Sequence, residues 1–244
     1  MGPLLEIACF NEESAVNAAG GGADRIELGQ DYQSGGLSPQ PAVLQAVKSR
    51  VSIPVYVMIR PHSKDFCYDH DDFEDMKATL QLLNSLGADG FVFGILHQPP
   101  DHRTADRHSW IDIARNRELV KLADGKPCTF HRAFDRIPES DWDSALEDII
   151  ECGFAAILTS GGPSSVDAVD CMDGLADLVN RLSLDTQAGR RALDVIVGGG
   201  VRPSNIGTLR VKTLATNFHS SGLSPSSEIV SLSQVQDLQR ALRS

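Results

Sequence analysis

Eight short apolar runs alternate with eight segments of helical periodicity, and no other feature of this 244-residue chain constrains its fold as strongly. The runs lie near 4–9, 24–28, 54–60, 89–93, 127–131, 155–159, 193–197 and 213–219. The helical segments lie near 12–20, 39–49, 70–86, 112–124, 141–152, 165–182, 203–210 and 229–243. Strand and helix in strict alternation build a parallel sheet, because parallel neighbours must be joined by a long crossover. Eight such units in about 250 residues is the size of a (β/α)8 TIM barrel, an α/β fold. Asn11, Ser38-Pro39, Asp69 and Asp141 are suited to start helices, and Gly87 and Gly153 to end them. No linker or shift in composition divides the chain, so residues 1–244 are expected to form a single domain. A doubly wound open sheet is the rival, but its strands should be continuously apolar, and these carry charges near their ends.

Those charges recur with a period of two. The strings Leu4-Leu5-Glu6-Ile7, Arg25-Ile26-Glu27-Leu28, Val57-Met58-Ile59-Arg60, Thr129-Phe130-His131 and Asn217-Phe218-His219 place polar side chains at alternate positions. A strand sends alternate side chains to opposite faces, so Glu6, Glu27, Arg60, His131, Asn217 and His219 share one face and their apolar neighbours the other. Buried charge is costly unless paired. Two carboxylates, a guanidinium and two imidazoles converging at the strand ends therefore mark a pocket where a barrel carries its active site. Arg60 is expected to bridge to one of the glutamates. The structural alternative is a self-satisfied ion-pair network filling the upper barrel.

Glycines and hydroxyls add a second signal. Strand six runs into Ser160-Gly161, strand seven into Gly198-Gly199-Gly200, and strand eight into Ser220-Ser221-Gly222. Backbone N–H groups in such turns can cradle an anion, and the loops after strands seven and eight are a recurrent phosphate site of barrels. Ser160, Gly161, Gly199, Gly200 and Ser220 are the expected anion-binding residues. The loops 61–69 and 97–110 are long enough to cover the pocket, but His97, His102 and His108 match no compact metal motif.

The formal net charge of −11 excludes general nucleic-acid binding and attraction to an anionic membrane. No stretch is long enough to span a bilayer, and Met1–Phe10 does not read as a signal peptide. Five scattered cysteines without a C-x-x-C pair fit free thiols in a reducing, cytoplasmic compartment.

An ordered set of strings resembles the CutC copper-homeostasis family. They are Ser14-Ala15-Val16-Asn17-Ala18, Gly21–Leu28, Val57–Pro61 with Asp65-Phe66 and Tyr68, Gly87-Ala88-Asp89-Gly90, and Val92-Phe93-Gly94. Thr129–Asp135, Leu158-Thr159-Ser160-Gly161, Gly198-Gly199-Gly200 and Phe218-His219 complete the set. The resemblance spans strand one to strand eight. It implies a cytoplasmic barrel assembled as a homo-oligomer (dimer or tetramer), a role in copper handling, and a polar pocket that adds Asp135 to the residues found by parity.

The resemblance breaks where copper chemistry would need thiols. Some members carry cysteines at two positions that here are Ala8 and Gly29. Copper(I) favours thiolates, so a metal in this chain would fall to His131, His219 and Glu27, a set better suited to copper(II) or zinc. Two functions follow. One is a copper-homeostasis protein that binds or senses the metal. The other is an isomerase, lyase or hydrolase acting on a small anionic or phosphorylated metabolite. In the second, Gly199–Gly200 holds the anion, Arg60 orients a carboxylate or oxyanion, and His131 or a glutamate moves the proton.

Overall fold

The computed structural model describes residues 2–97, 109–187, 189, 192–224 and 227–244. Strands and helices alternate in the order β1 (Leu4–Cys9), α1 (Glu12–Gly20), β2 (Arg25–Leu28), α2 (Pro41–Arg50), β3 (Val55–Met58), α3 (His70–Ser85), β4 (Gly90–Phe93) and α4 (Ile113–Leu122). They continue with β5 (Cys128–Phe130), α5 (Trp142–Cys152), β6 (Ala156–Thr159), α6 (Met172–Gln187), β7 (Asp194–Val197), α7 (Ile206–Thr213), β8 (Asn217–Ser220) and α8 (Leu232–Arg243). The strands are parallel, and β8 pairs back onto β1 to close a (β/α)8 barrel.

Local chemistry sets several boundaries. Asn11 caps α1 by accepting from the Ser14 N–H at 2.8 Å. Asp69 and Asp72 form a reciprocal capping box on α3. Gly153 ends α5 in the left-handed region at φ 99°. Other boundaries differ from the expected ones. Helix α2 starts at Pro41, not Pro39, with proline in its first turn. Helix α6 starts at Met172 because the preceding segment folds against the end of β7, where the Ala168 N–H donates to Gly199 O at 2.9 Å. Thr213 ends α7 and Leu214 caps it in the left-handed region, so β8 starts at Asn217. Asp141 makes no capping bond to α5; its carboxylate accepts from Trp110 Nε1 at 3.0 Å.

Strand parity divides the core in two. Outward-facing Ile7, Ile26, Val57, Phe91, Phe93, Phe130 and Phe218 are fully buried beneath the helices. Phe154 stacks against both Phe93 and Phe130, with ring centres 5.0 and 5.2 Å away. Burying each such side chain contributes about 1.5–3 kcal/mol. Inside the barrel, Ala156, Leu158 and Ile196 form a small apolar cluster on β6 and β7. The opposite wall is ionic, built by β8, β1 and β2. That asymmetry places the buried Glu6 ion pairs on one side of the barrel.

Candidate functional site

Register assembles the inner part of the site. Glu6 on β1 pairs with Arg25 on β2 and with His219 on β8, and Ala8 pairs with Glu27 one step nearer the mouth. The Glu6 carboxylate accepts from Arg25 Nε at 2.6 Å and contacts His219 Nδ1 at 2.7 Å. The Arg25 guanidinium also lies over the Tyr56 ring, 4.2 Å from its centre. Burial alone would raise the Glu6 pKa, but Arg25 and His219 outweigh it and hold the carboxyl at about 2. At His219 the Glu27 and Glu6 carboxylates overcome burial and raise its pKa, which favours a protonated imidazole against Glu6.

Glu27 behaves in the opposite way. Burial pushes its pKa to about 7, opposed by His219 and reinforced by the Glu6 charge. Its Oε2 lies 4.0 Å from His219 Nδ1 and has no hydrogen-bond partner among the described residues. Two neighbouring carboxyls are thus driven apart in acidity, one permanently ionised and one able to exchange a proton at neutral pH.

Glu27 faces a cavity of about 250 Å³ at the barrel mouth, bounded also by Met58, Arg60, Phe66, His131 and His219. Arg60 does not reach the carboxylates as expected. The segment after β2 doubles back through the Gln30–Leu37 bridge, and the Arg60 guanidinium donates to its carbonyls at Ser34 (3.0 Å) and Gly36 (3.1 Å). Arg60 also covers Phe66, 4.9 Å from the ring centre, and Phe66 meets the His131 imidazole edge-on at 4.7 Å. His131 Nδ1 accepts from the Ala133 N–H at 3.3 Å, at the start of a 3-10 turn spanning Arg132–Arg136. Burial, then the nearby Arg60 charge, lower the His131 pKa to about 3, so this imidazole is neutral.

The far side of the cavity is basic. Arg132, Arg202, Gly199, Gly200, Ser220 and Ser221 line it. Gly199 and Gly200 sit at φ 93° and 71°, and a Cβ on Gly200 would collide with the Asp167 carboxylate, so only glycine fits there. Among the described residues no hydrogen bond uses either glycine's N–H. Arg202 Nη1 spans from Val201 O at 2.9 Å to Ser221 Oγ at 3.5 Å. Arg132 and Arg202 are functional candidates that the parity argument misses, since neither lies on a strand. The sequence does carry a signal for Arg202, a cation two residues after the glycine triplet.

The strand-six part of the expected anion site is closed. Asp135 accepts from Thr159 Oγ1 at 2.5 Å, from the Ser160 N–H at 3.2 Å and from Arg132 Nε at 2.7 Å. The Gly161 N–H is held by Thr159 Oγ1 at 2.9 Å. Ser160 and Gly161 therefore have no free N–H to offer, and Asp135 anchors Arg132 from behind the cavity wall. Ser220 lines the cavity while its hydroxyl donates to Val201 O at 2.7 Å.

Copper fits this donor set poorly. Glu6, Glu27 and His219 are the described residues whose ligand atoms cluster within 4.8 Å, whereas His131 stands apart from them. Arg25 already pairs with Glu6 at 2.6 Å, setting a fixed positive charge beside this cluster. Cys9 lies in the outer core, and burial raises its thiol pKa well above normal. Burial likewise pushes Cys128 and Cys152 up to about 12. His97 is half exposed at the surface, and His102 and His108 lie outside the described residues.

A closed parallel barrel of eight strands, with Glu6, Glu27 and His219 clustered inside and Arg132 and Arg202 lining the cavity at its mouth, is a (β/α)8 protein. Comparison with known proteins then places it more narrowly: residues 3–224 match the CutC family model, and the chain belongs to the CutC family. It is 42% identical over 223 residues to the copper homeostasis protein cutC homolog of Homo sapiens, covering 91% of this chain and 74% of that one. It is 38% identical to a CutC family protein of Caulobacter vibrioides, covering 89% and 80% of the two chains. A CutC structure from Streptococcus agalactiae superposes with a TM-score of 0.77 at 26% identity, covering 90% and 98%. N-(5'-phosphoribosyl)anthranilate isomerase from Pyrococcus furiosus, at TM-score 0.62 and 13% identity, covering 98% of each chain, shares the fold alone. No helix among the described residues is long and apolar enough to cross a membrane.

Proposed function

We propose that this protein serves copper homeostasis, the role its relatives' names carry, by converting a small anionic or phosphorylated metabolite in the barrel mouth. The observation that carries this reading is Glu27: a carboxyl poised at about 7 across a small cavity from Arg132, Arg202 and two unengaged glycine N–H groups. A general acid–base works best when its pKa lies near the working pH. The basic pole would hold the charged end of the substrate while Glu27 exchanges a proton with the reacting end. That division suits an isomerase, lyase or hydrolase. Capturing copper(I) directly would need thiolates, and the five thiols, all with raised pKa, do not favour them. The free cysteines suit the cytoplasm, and we place the protein there as a homo-oligomer.

A library of phosphorylated and carboxylated metabolites, screened by thermal shift, tests this. A true ligand at a hundredfold excess over its Kd stabilises by about 2.7 kcal/mol, or about 5–10 °C in a domain of this size. Arg202→Ala should abolish the shift. A library without hits, together with stoichiometric stabilisation by copper(I), would overturn the reading.

A further inference from the structure

We infer that His131 is a catalytic residue of this pocket: its Nε2–H donates to a substrate carbonyl and holds the oxyanion formed when a proton leaves the adjacent carbon. The inference rests on the acid–base reading of the pocket and names the substrate class, a small phosphorylated or carboxylated α-hydroxycarbonyl compound. The geometry is specific. Nδ1 already accepts the Ala133 N–H at 3.3 Å, so its lone pair is committed and the neutral ring carries its proton on Nε2. Nε2 is buried and has no partner among the described residues, on a side chain that lines the cavity. A buried donor left unpaired is costly, and native structures retain such groups where a ligand completes them. Phe66 packs edge-on against the ring, with its own face under Arg60. A neutral imidazole is the better polarising group here, because an imidazolium beside Arg60 would add charge to a buried site.

The step balances without a co-reactant. Glu27, as carboxylate, takes the proton from the carbon next to the carbonyl. The C–H electron pair forms the carbon–carbon double bond, and the carbonyl π pair moves to oxygen, where His131 Nε2–H receives it. Glu27 then returns the proton to the former carbonyl carbon while the proton of the substrate's adjacent hydroxyl passes to the first oxygen, so the carbonyl re-forms one carbon along. The reaction class is isomerisation through an enediolate.

Two measurements test this in the full-length protein. Long-range ¹H–¹⁵N NMR of the labelled imidazole should show a single Nε2–H tautomer, unchanged across neutral pH. Calorimetric titration should show 2-phosphoglycolate, whose carboxylate resembles an enediolate, binding at least tenfold tighter than inorganic phosphate. His131→Ala should remove that advantage and leave the phosphate Kd within about twofold, while His131→Gln, which retains an N–H, should recover part of it. A protonated or Nδ1–H ring overturns the inference. So does phosphoglycolate binding no tighter than phosphate, or an equal loss of both ligands in His131→Ala. If neither anion binds the wild-type protein, the anion pole and the function proposed above fail, and the ring NMR still decides the tautomer.

Discussion

Replacing Glu27 with glutamine should make the protein's stability less dependent on pH, in a direction the pocket dictates. The Glu27 pKa rises from 4.5 to about 7, chiefly through burial. In the folded state it keeps a proton that the unfolded chain has already lost, so folding takes up a proton in this range. A raised pKa means stability that is complete below the unfolded value and declines as pH rises through the folded one. At about 1.4 kcal/mol per unit, the shift of about 2.5 units amounts to about 3 kcal/mol, developing between about pH 4.5 and 7. The amide introduced by Glu27→Gln cannot ionise, so the variant lacks this dependence. Denaturant unfolding of both proteins at pH 5, 6, 7 and 8 should show wild type losing about 2.5 kcal/mol relative to Glu27→Gln as pH rises. A difference independent of pH would refute the burial argument. Wild type gaining on the variant at high pH would mean that Glu27 is a stabilised carboxylate, and would remove it as a neutral-pH acid–base group.

Arg25→Leu should destabilise by about 3–5 kcal/mol, because Glu6 loses its guanidinium and stays buried with His219 alone. A loss below about 1 kcal/mol in denaturant unfolding would show the pair is not needed. Gly200→Ala should weaken phosphate binding at least tenfold, since its Cβ would meet Asp167 and its left-handed backbone disfavours a side chain. Unchanged affinity by calorimetry would release that loop from the anion site. Anaerobic copper(I) titration against a chromogenic competitor should find no tight site, and Cys9→Ser should change nothing. One tightly held ion per chain would contradict the proposed division of labour.

The barrel is legible in the sequence because alternation of strand and helix is a local, repeated signal, and parity correctly turns Glu6, Glu27 and His219 inward. The guanidinium serving the inner carboxylate is hidden for a non-local reason. Arg25 opens its strand and reads as a solvated terminus, and only the β1–β2 register sets it beside Glu6. Arg60, correctly placed at the mouth, is drawn away by carbonyls of a segment that folds back from β2. The Ser160-Gly161 turn matches the composition of an anion cradle, but Asp135 and Thr159 occupy its donors. The start of α6 falls later than composition suggests, because 165–171 resembles helix while its backbone is drawn to Gly199.

The central claim is that the glycine loop and its flanking arginines form an anion pole opposite Glu27. Amide NMR during titration with inorganic phosphate tests it most directly. The Gly199 and Gly200 N–H resonances should move downfield with saturable curves in the wild-type protein and stay fixed in Arg202→Ala. Saturable shifts elsewhere in the barrel, with these two amides unmoved, would contradict it.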